Sequence, residues 1–297
     1  MTVEEVAQDP LCSSPKPVIL YSYQTNQTMT TAQEKFTKLI QHTFGTIREE
    51  IDMCLDWNQG FTIDSGKLGE RIAFIVKDTK GVNSNGGCAF DAQDGTEAKA
   101  CFTGQTYKCP DCGAKNNYYA SQCHKCGGEN RKDPGDTRWG IDTKAHFQYF
   151  GQIPDYVVTH IEPTNQSPTN PTFRIRVYKI SSDNKVFNEI LSHQKSTGSH
   201  HKNFMPFSQD FYMSNPALLI ECNISVSDEF VISYDTFDLE ENCGPAFMPS
   251  TLLTKKQLKD VADFDGQVLI EQVYNTFGIK KGSQGKSRGV LDRNNNL

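Results

Sequence analysis

Four cysteines stand in two C-x-x-C steps, Cys109-Pro-Asp-Cys112 and Cys123-His-Lys-Cys126, with ten residues between the pairs. A two-residue gap lets two thiolates converge on one tetrahedral ion. A glycine follows each pair (Gly113, Gly127), where it lets the backbone turn tightly and aim its amides at sulfur. The stretch is too poor in apolar residues to fold alone. The spacing therefore predicts a structural Zn2+ held by Cys109, Cys112, Cys123 and Cys126 in a compact ribbon. A redox pair or two disulfides would use the same residues. His124 and His146 are spare donors, read as surface residues. Cys12, Cys54, Cys88, Cys101, Cys222 and Cys243 share no spacing pattern, and read as small buried hydrophobes of a reducing compartment.

The second constellation is Asp91-Ala-Gln-Asp-Gly-Thr-Glu97-Ala-Lys99. Two short strands, 88–92 and 96–102, read on either side of a turn. A two-residue turn at Asp94-Gly95 would turn Asp91 away from Glu97 and Lys99. A three-residue loop, Gln93-Asp94-Gly95, puts glycine where a left-handed residue is required. Ala92 then faces Thr96, Asp91 faces Glu97, and Lys99 shares their face. Opposed carboxylates about 5 Å apart repel unless a cation lies between them, and oxygen donors suit Mg2+. Such an ion polarises a phosphoryl oxygen and acidifies a water, with Lys99 beside it to orient that water or offset charge. A solvated charged hairpin would carry the same residues. A rival set, Asp142-Thr-Lys144 with Asp133 and Asp136 upstream, repeats the acid-and-lysine pattern.

Helices and strands must position these groups. Phe36, Leu39, Ile40, Phe44, Ile47 and Ile51 recur at helical intervals from Thr31 to about Asp56. A second helix is predicted from Ser65 to Lys77, capped by Asp64 or Ser65, with Leu68, Ile72, Ile75 and Val76 on one stripe. Further strands are predicted at 138–145, 155–162, 172–180, 217–226 and 229–234, and helices at 254–264 and 266–277. Helix, sheet, helix order implies an α/β or α+β chain, a mixed central β-sheet flanked by helices with the ribbon inserted. The expected division is 1–104 (arm, helices and the acidic hairpin), 105–130 (ribbon), 131–240 (rest of the core) and 241–297 (helical segment and basic tail).

Asp, five residues, then Glu-x-Lys, preceded by a helix containing Gly66-Lys67-Leu68-Gly69-Glu70, resembles the PD-(D/E)XK nuclease superfamily and, within it, type II restriction endonucleases. The resemblance implies a restriction-endonuclease-like core that hydrolyses double-stranded DNA with Mg2+, leaving 5′-phosphates. Asp91 and Glu97 match the metal-binding acids, Lys99 the catalytic lysine, and Glu70 the additional helix glutamate. Glu70 lies off the apolar stripe, free to serve. Phe90 stands where many members have proline. Palindromic sites imply a homodimer. A structure-specific repair or recombination nuclease, and a non-catalytic zinc-ribbon nucleic-acid-binding protein, are the alternatives.

A net charge of −6 argues against a chain that coats nucleic acid non-specifically, so phosphate contact needs local cation density. Candidates are Arg174 and Arg176 on one strand face, Lys195 and Lys202 in a polar loop, Lys108, Lys115 and Lys125 near the knuckles, and a basic tail from Lys280 to Arg293. Tyr118 and Tyr119 are candidate stacking residues. Hydrophobic residues at 36% and charged ones at 22% exclude a disordered or fibrous chain. No apolar run is long enough to span a bilayer, and the acidic start Met-Thr-Val-Glu-Glu has no leader character. The expected location is cytoplasmic, and the resemblance implies a prokaryotic or phage-encoded setting.

Overall fold

A computed structural model describes residues 31–82, 90–132, 139–142, 153–185, 187–188, 191–192, 201–204 and 216–240. The expected N-terminal arm, C-terminal helices and basic tail lie outside them. Three helices come first: α1 (Thr31–Phe44), α2 (Ile47–Asp56) and α3 (Ser65–Val76). Each follows its apolar stripe, burying Phe36, Ile40 and Phe44 in α1, Ile47, Ile51 and Cys54 in α2, and Leu68, Ile72 and Ala73 in α3. The single helix expected from Thr31 to Asp56 is two. The stripe runs on through the break, so periodicity alone does not show it. The break falls at Gly45 and Thr46, where Thr46 leaves helical geometry with φ −113° and ψ 9°. Asp64 caps α3 as expected, its carboxylate accepting the Lys67 amide at 3.0 Å.

Strands β1 (Glu97–Phe102), β5 (Asp155–Pro163), β6 (Thr172–Ser181), β8 (Ala217–Val226) and β9 (Phe230–Phe237) form one sheet in the order β1-β5-β6-β8-β9. β1 and β5 are parallel and the remaining pairs antiparallel. This is the mixed central sheet flanked by helices that the sequence predicts. Between β1 and β5 the chain makes β2 (Thr106–Lys108) and β3 (Lys115–Asn117), a two-stranded unit carrying the four cysteines, and then β4 (Trp139–Asp142). β4 pairs with β7 (His201–Phe204).

The two faces of the sheet differ in chemistry. Ala98, Phe102, Val157, Phe173, Ile175 and Ile220 face α1–α3 and make the apolar core. Side chains at alternate positions (Glu97, Lys99, Tyr156, His160, Glu162, Arg176) occupy the opposite face. α3 packs close to the edge strand because position 69 is glycine: a Cβ there would come within 2.5 Å of the Ala100 Cβ.

Candidate functional site

The turn before β1 is built as its residue types require. The Gly95 amide donates to the Ala92 carbonyl at 2.9 Å, and Gly95 takes φ +88°. The Asp94 carboxylate accepts from both the amide and the hydroxyl of Thr96, each at 3.0 Å. The amides of Asp91 and Ala92 both donate to the Thr96 carbonyl, at 3.0 and 3.1 Å, placing two residues against one. Thr96 is thus the residue against which Ala92 closes the turn, as expected, but Asp91 shares that same carbonyl rather than pairing with Glu97. Of the expected strand 88–92, the described residues 90–92 form no ladder beside β1, however. Residues 83–89 lie outside the described set, and Ala92 makes an isolated bridge to Gly81 instead. The physical reason is that Val82 and Gln93 complete their bonds with Asp91 and Lys80, at 2.9 and 2.8 Å, so the segment pairs with residues 80–82.

Asp91 reaches β1 by its side chain. Its Oδ2 accepts the Ala98 amide at 2.8 Å, satisfying a donor on the outer edge of the sheet. Beside it, Lys99 Nζ forms an ion pair with Glu97 Oε1. Both side chains are largely buried, at 25% and 14% exposure. Burial is the main cause that raises the Glu97 carboxyl to about 7; the Lys99 charge opposes it, while the neighbouring Asp91 carboxyl adds to it. Asp91, Glu97 and Lys99 therefore meet at one edge of the sheet.

Glu70 follows Gly69 on α3 and is half-buried. Among the described residues it forms no hydrogen bond or ion pair with Asp91, Glu97 or Lys99. Tyr156, which the sequence does not single out, is the cross-strand partner of Glu97 on β5. It is buried against Phe187, and burial together with the Glu97 charge drives its hydroxyl pKa upward. Its signal was an aromatic in a strand run, indistinguishable from core.

The sulfurs of Cys109, Cys112, Cys123 and Cys126 all lie within 4.8 Å of one another and could hold a metal ion. None is in a disulfide. The two knuckles repeat each other. Gly113 and Gly127 donate to the carbonyls of Cys109 and Cys123 at 2.9 and 2.8 Å, with φ +74° and +71°. Burial raises the Cys123 thiol, but the amides of Cys126 and Lys125 outweigh it and hold the group near 6. His124 is not a spare ligand: its Nδ1 and its amide both meet Asn116 Oδ1, at 2.7 and 3.0 Å. His146 lies outside the described residues.

A family model for the MamI restriction endonuclease matches residues 54–251, about two thirds of the chain. The chain belongs to the MamI restriction endonuclease family. The match takes in α3, the Asp91–Lys99 turn, the four cysteines and the whole sheet. Membership makes the chain a restriction endonuclease, a DNA-cutting hydrolase. No curated protein and no solved structure matches it. Among the described residues no helix is long and apolar enough to cross a membrane.

Of the two strand arginines expected to face DNA, Arg176 needs correction. Arg176 is 1% exposed, donating to Glu162 Oε1 at 2.7 Å and to His160 Nδ1 at 3.1 Å. His160 Nδ1 must therefore accept, leaving Nε2–H to donate to Thr103 Oγ1 at 3.1 Å. Burial, then the two arginines, hold the His160 pKa well below its usual value. Arg174 is tied to Glu162 at 3.1 Å and lies 4.0 Å from Glu221. An alternating strand pattern marks this face as polar without saying what covers it. Tyr119 is likewise no stacking platform: it is buried against Phe61, with Tyr118 edge-on to it. Lys195 and Lys144 lie outside the described residues, as do Asp133 and Asp136. The backbones of Asp142 and Lys202 belong to β4 and β7.

Proposed function

We propose that the chain is a Mg2+-dependent type II restriction endonuclease that hydrolyses duplex DNA at specific sites as a homodimer. The observation that carries this reading is the meeting of Asp91, Glu97 and Lys99 at the edge of β1. It supports the resemblance to the PD-(D/E)XK superfamily on the three positions that matter most. Two adjacent carboxyls, one of them raised to about 7, form a site whose negative charge, among the described residues, Lys99 offsets. That donor set fits a hard divalent ion, with Asp91 and Glu97 holding it. When bound, Mg2+ polarises a phosphoryl oxygen and lowers the pKa of a water.

The chain's own groups do the rest. Ala98 fixes the Asp91 carboxylate through its amide, so this acid is held in place before any ligand arrives. Packing beside Tyr156 leaves the Glu97 side chain only 14% exposed. Lys99 Nζ orients the attacking water and offsets the charge that builds on the phosphate as the new O–P bond forms and the P–O3′ bond breaks. Glu70 is the further acid on α3. The four cysteines hold a structural Zn2+, and four thiolates leave no open position for water.

Cleavage of plasmid DNA by wild type, Lys99→Ala and Glu97→Ala with and without Mg2+ tests the reading. Wild type is expected to give discrete bands only with Mg2+, and each variant to lose at least about 100-fold in rate. Variants that cut like wild type would overturn the site; cleavage confined to junctions or flaps would overturn restriction.

A further inference from the structure

Three lysines of the ribbon lie abreast. Lys108 on β2 is the cross-strand partner of Lys115 on β3. On its other side Lys108 forms an antiparallel bridge with Lys132, amide to carbonyl in both directions at 3.3 and 2.9 Å. Directly opposed residues of antiparallel strands point to one face, about 5 Å apart. The result is a row of three ammonium groups across three strands. All three residues are exposed, and among the described residues none has an acidic partner. Like charges directly opposed in a sheet repel one another, so such a row is stabilised by an external anion. The strand arginines offer no such surface, because Glu162 and Glu221 already engage them.

From this arrangement we infer that Lys132, Lys108 and Lys115 form a phosphate-binding row that grips the backbone of the DNA being cut. The inference rests on the reading of the chain as a DNA endonuclease. The row is well placed for it. Lys108 lies nine positions after Lys99, at most roughly 30 Å of chain, the length of about nine base pairs, so a short duplex is long enough to span the two. The junction is also stiff. Thr103, just after β1, bonds His160 and the Ile161 carbonyl, and Gly104, with φ +86°, packs against Pro163. The Asn117 side chain donates to the Gln59 carbonyl at 2.8 Å, and Arg131 donates to the Tyr118 carbonyl at 2.9 Å while lying over the Tyr107 ring. A phosphate held by the row is thereby held at a set distance from Lys99. Lysine reads charge rather than sequence, so the row positions the duplex and leaves base reading to other groups.

The test is fluorescence anisotropy of the full-length, zinc-loaded chain on a duplex of about 30 base pairs, without Mg2+, at roughly 50 to 200 mM salt. Lys108→Gln/Lys115→Gln/Lys132→Gln is compared with wild type and with Lys38→Gln, an exposed lysine of α1. The triple variant is expected to bind at least about tenfold more weakly on every sequence tried. Its slope of log K against log salt should shrink by about 3, while Lys38→Gln leaves both unchanged. Bound zinc, measured on the same samples, should stay at the wild-type level. An unchanged slope with normal Mg2+-dependent cleavage would overturn the row and leave the nuclease reading standing. Loss of zinc with an unchanged slope would also overturn it, since the lysines would then only offset thiolate charge. A wild-type chain that neither binds nor cuts duplex DNA would overturn both.

Discussion

The cysteine knuckles and the acidic turn are both short loops closed by a left-handed glycine, yet they hold their donors by different means. At Gly113 and Gly127 the backbone curls around its own sulfurs, and every donor lies within 18 residues of the others. At Gly95 the loop delivers only Asp91. The site is complete because β1 supplies the Ala98 amide, Glu97 and Lys99, and because β5 buries them. A metal site made of local donors can be assembled by the ion itself. One made of carboxylates at a sheet edge must be assembled by the fold first, with Lys99 offsetting part of its charge until the ion arrives.

The largest effect expected from this contrast is on the ribbon. Removing zinc with a chelator, or Cys112→Ser with Cys126→Ser, should unfold residues 105–132 locally, because structural zinc supplies about 10 kcal/mol or more to such segments. Hydrogen exchange should show that loss in the ribbon and sparing of β5, β6 and β8. Protection retained throughout would mean that the ribbon stands on its anchors to Gln59 and Phe61 instead. Magnesium removal should do the opposite, leaving exchange unchanged and abolishing cleavage.

Next comes Asp91→Asn. It should cut the cleavage rate by about 100-fold or more with bound zinc unchanged, separating the two sites chemically. Rate and metal content measured on one sample decide it.

A smaller effect is on pH. Because Glu97 has a folded pKa of about 7, above its unfolded value of 4.5, folding favours its protonated form. The stability it contributes to the Mg2+-free chain is complete below pH 4.5 and is lost as pH rises to about 7, a change of a few kcal/mol. Glu97→Gln should remove that part of the pH dependence in denaturant titrations of the zinc-loaded chain. Equal slopes for the two proteins would show that Glu97 is not held in this state.

The smallest effect compares the glycines. Gly127→Ala meets no neighbour within 4 Å, so its cost is that of the left-handed backbone, about 1–2 kcal/mol. Gly95→Ala has a similar backbone cost, but it should also lower the cleavage rate by displacing Asp91. Thermal melts and cleavage rates on the two variants check this split.

Helix stripes, the Asp64 cap, the strand segments 155–162, 172–180 and 217–226, and the cysteine cluster were all legible, because each depends on residues close in sequence. The turn at Gly95 was legible too, from its left-handed glycine. What pairs with residue 92 was not: the competition between β1 and residues 80–82 for its backbone bonds is settled in three dimensions. The helix break escaped notice because the apolar stripe continues across Gly45. Arg176 was misread because alternation reports which residues share a face and not whether each of them meets water.

By itself, then, the order of residues determined every feature carried by local geometry: periodicity, caps, left-handed glycines and knuckle spacing. Tertiary structure alone decided that Arg176 and His160 on the charged face of the sheet would be buried, that Glu162 would engage both arginines, and that Asp91 would be held by an edge amide of β1. Those outcomes depend on burial and on partners distant in sequence, and burial is what turns an ordinary charge into either a buried ion pair or a reactive group.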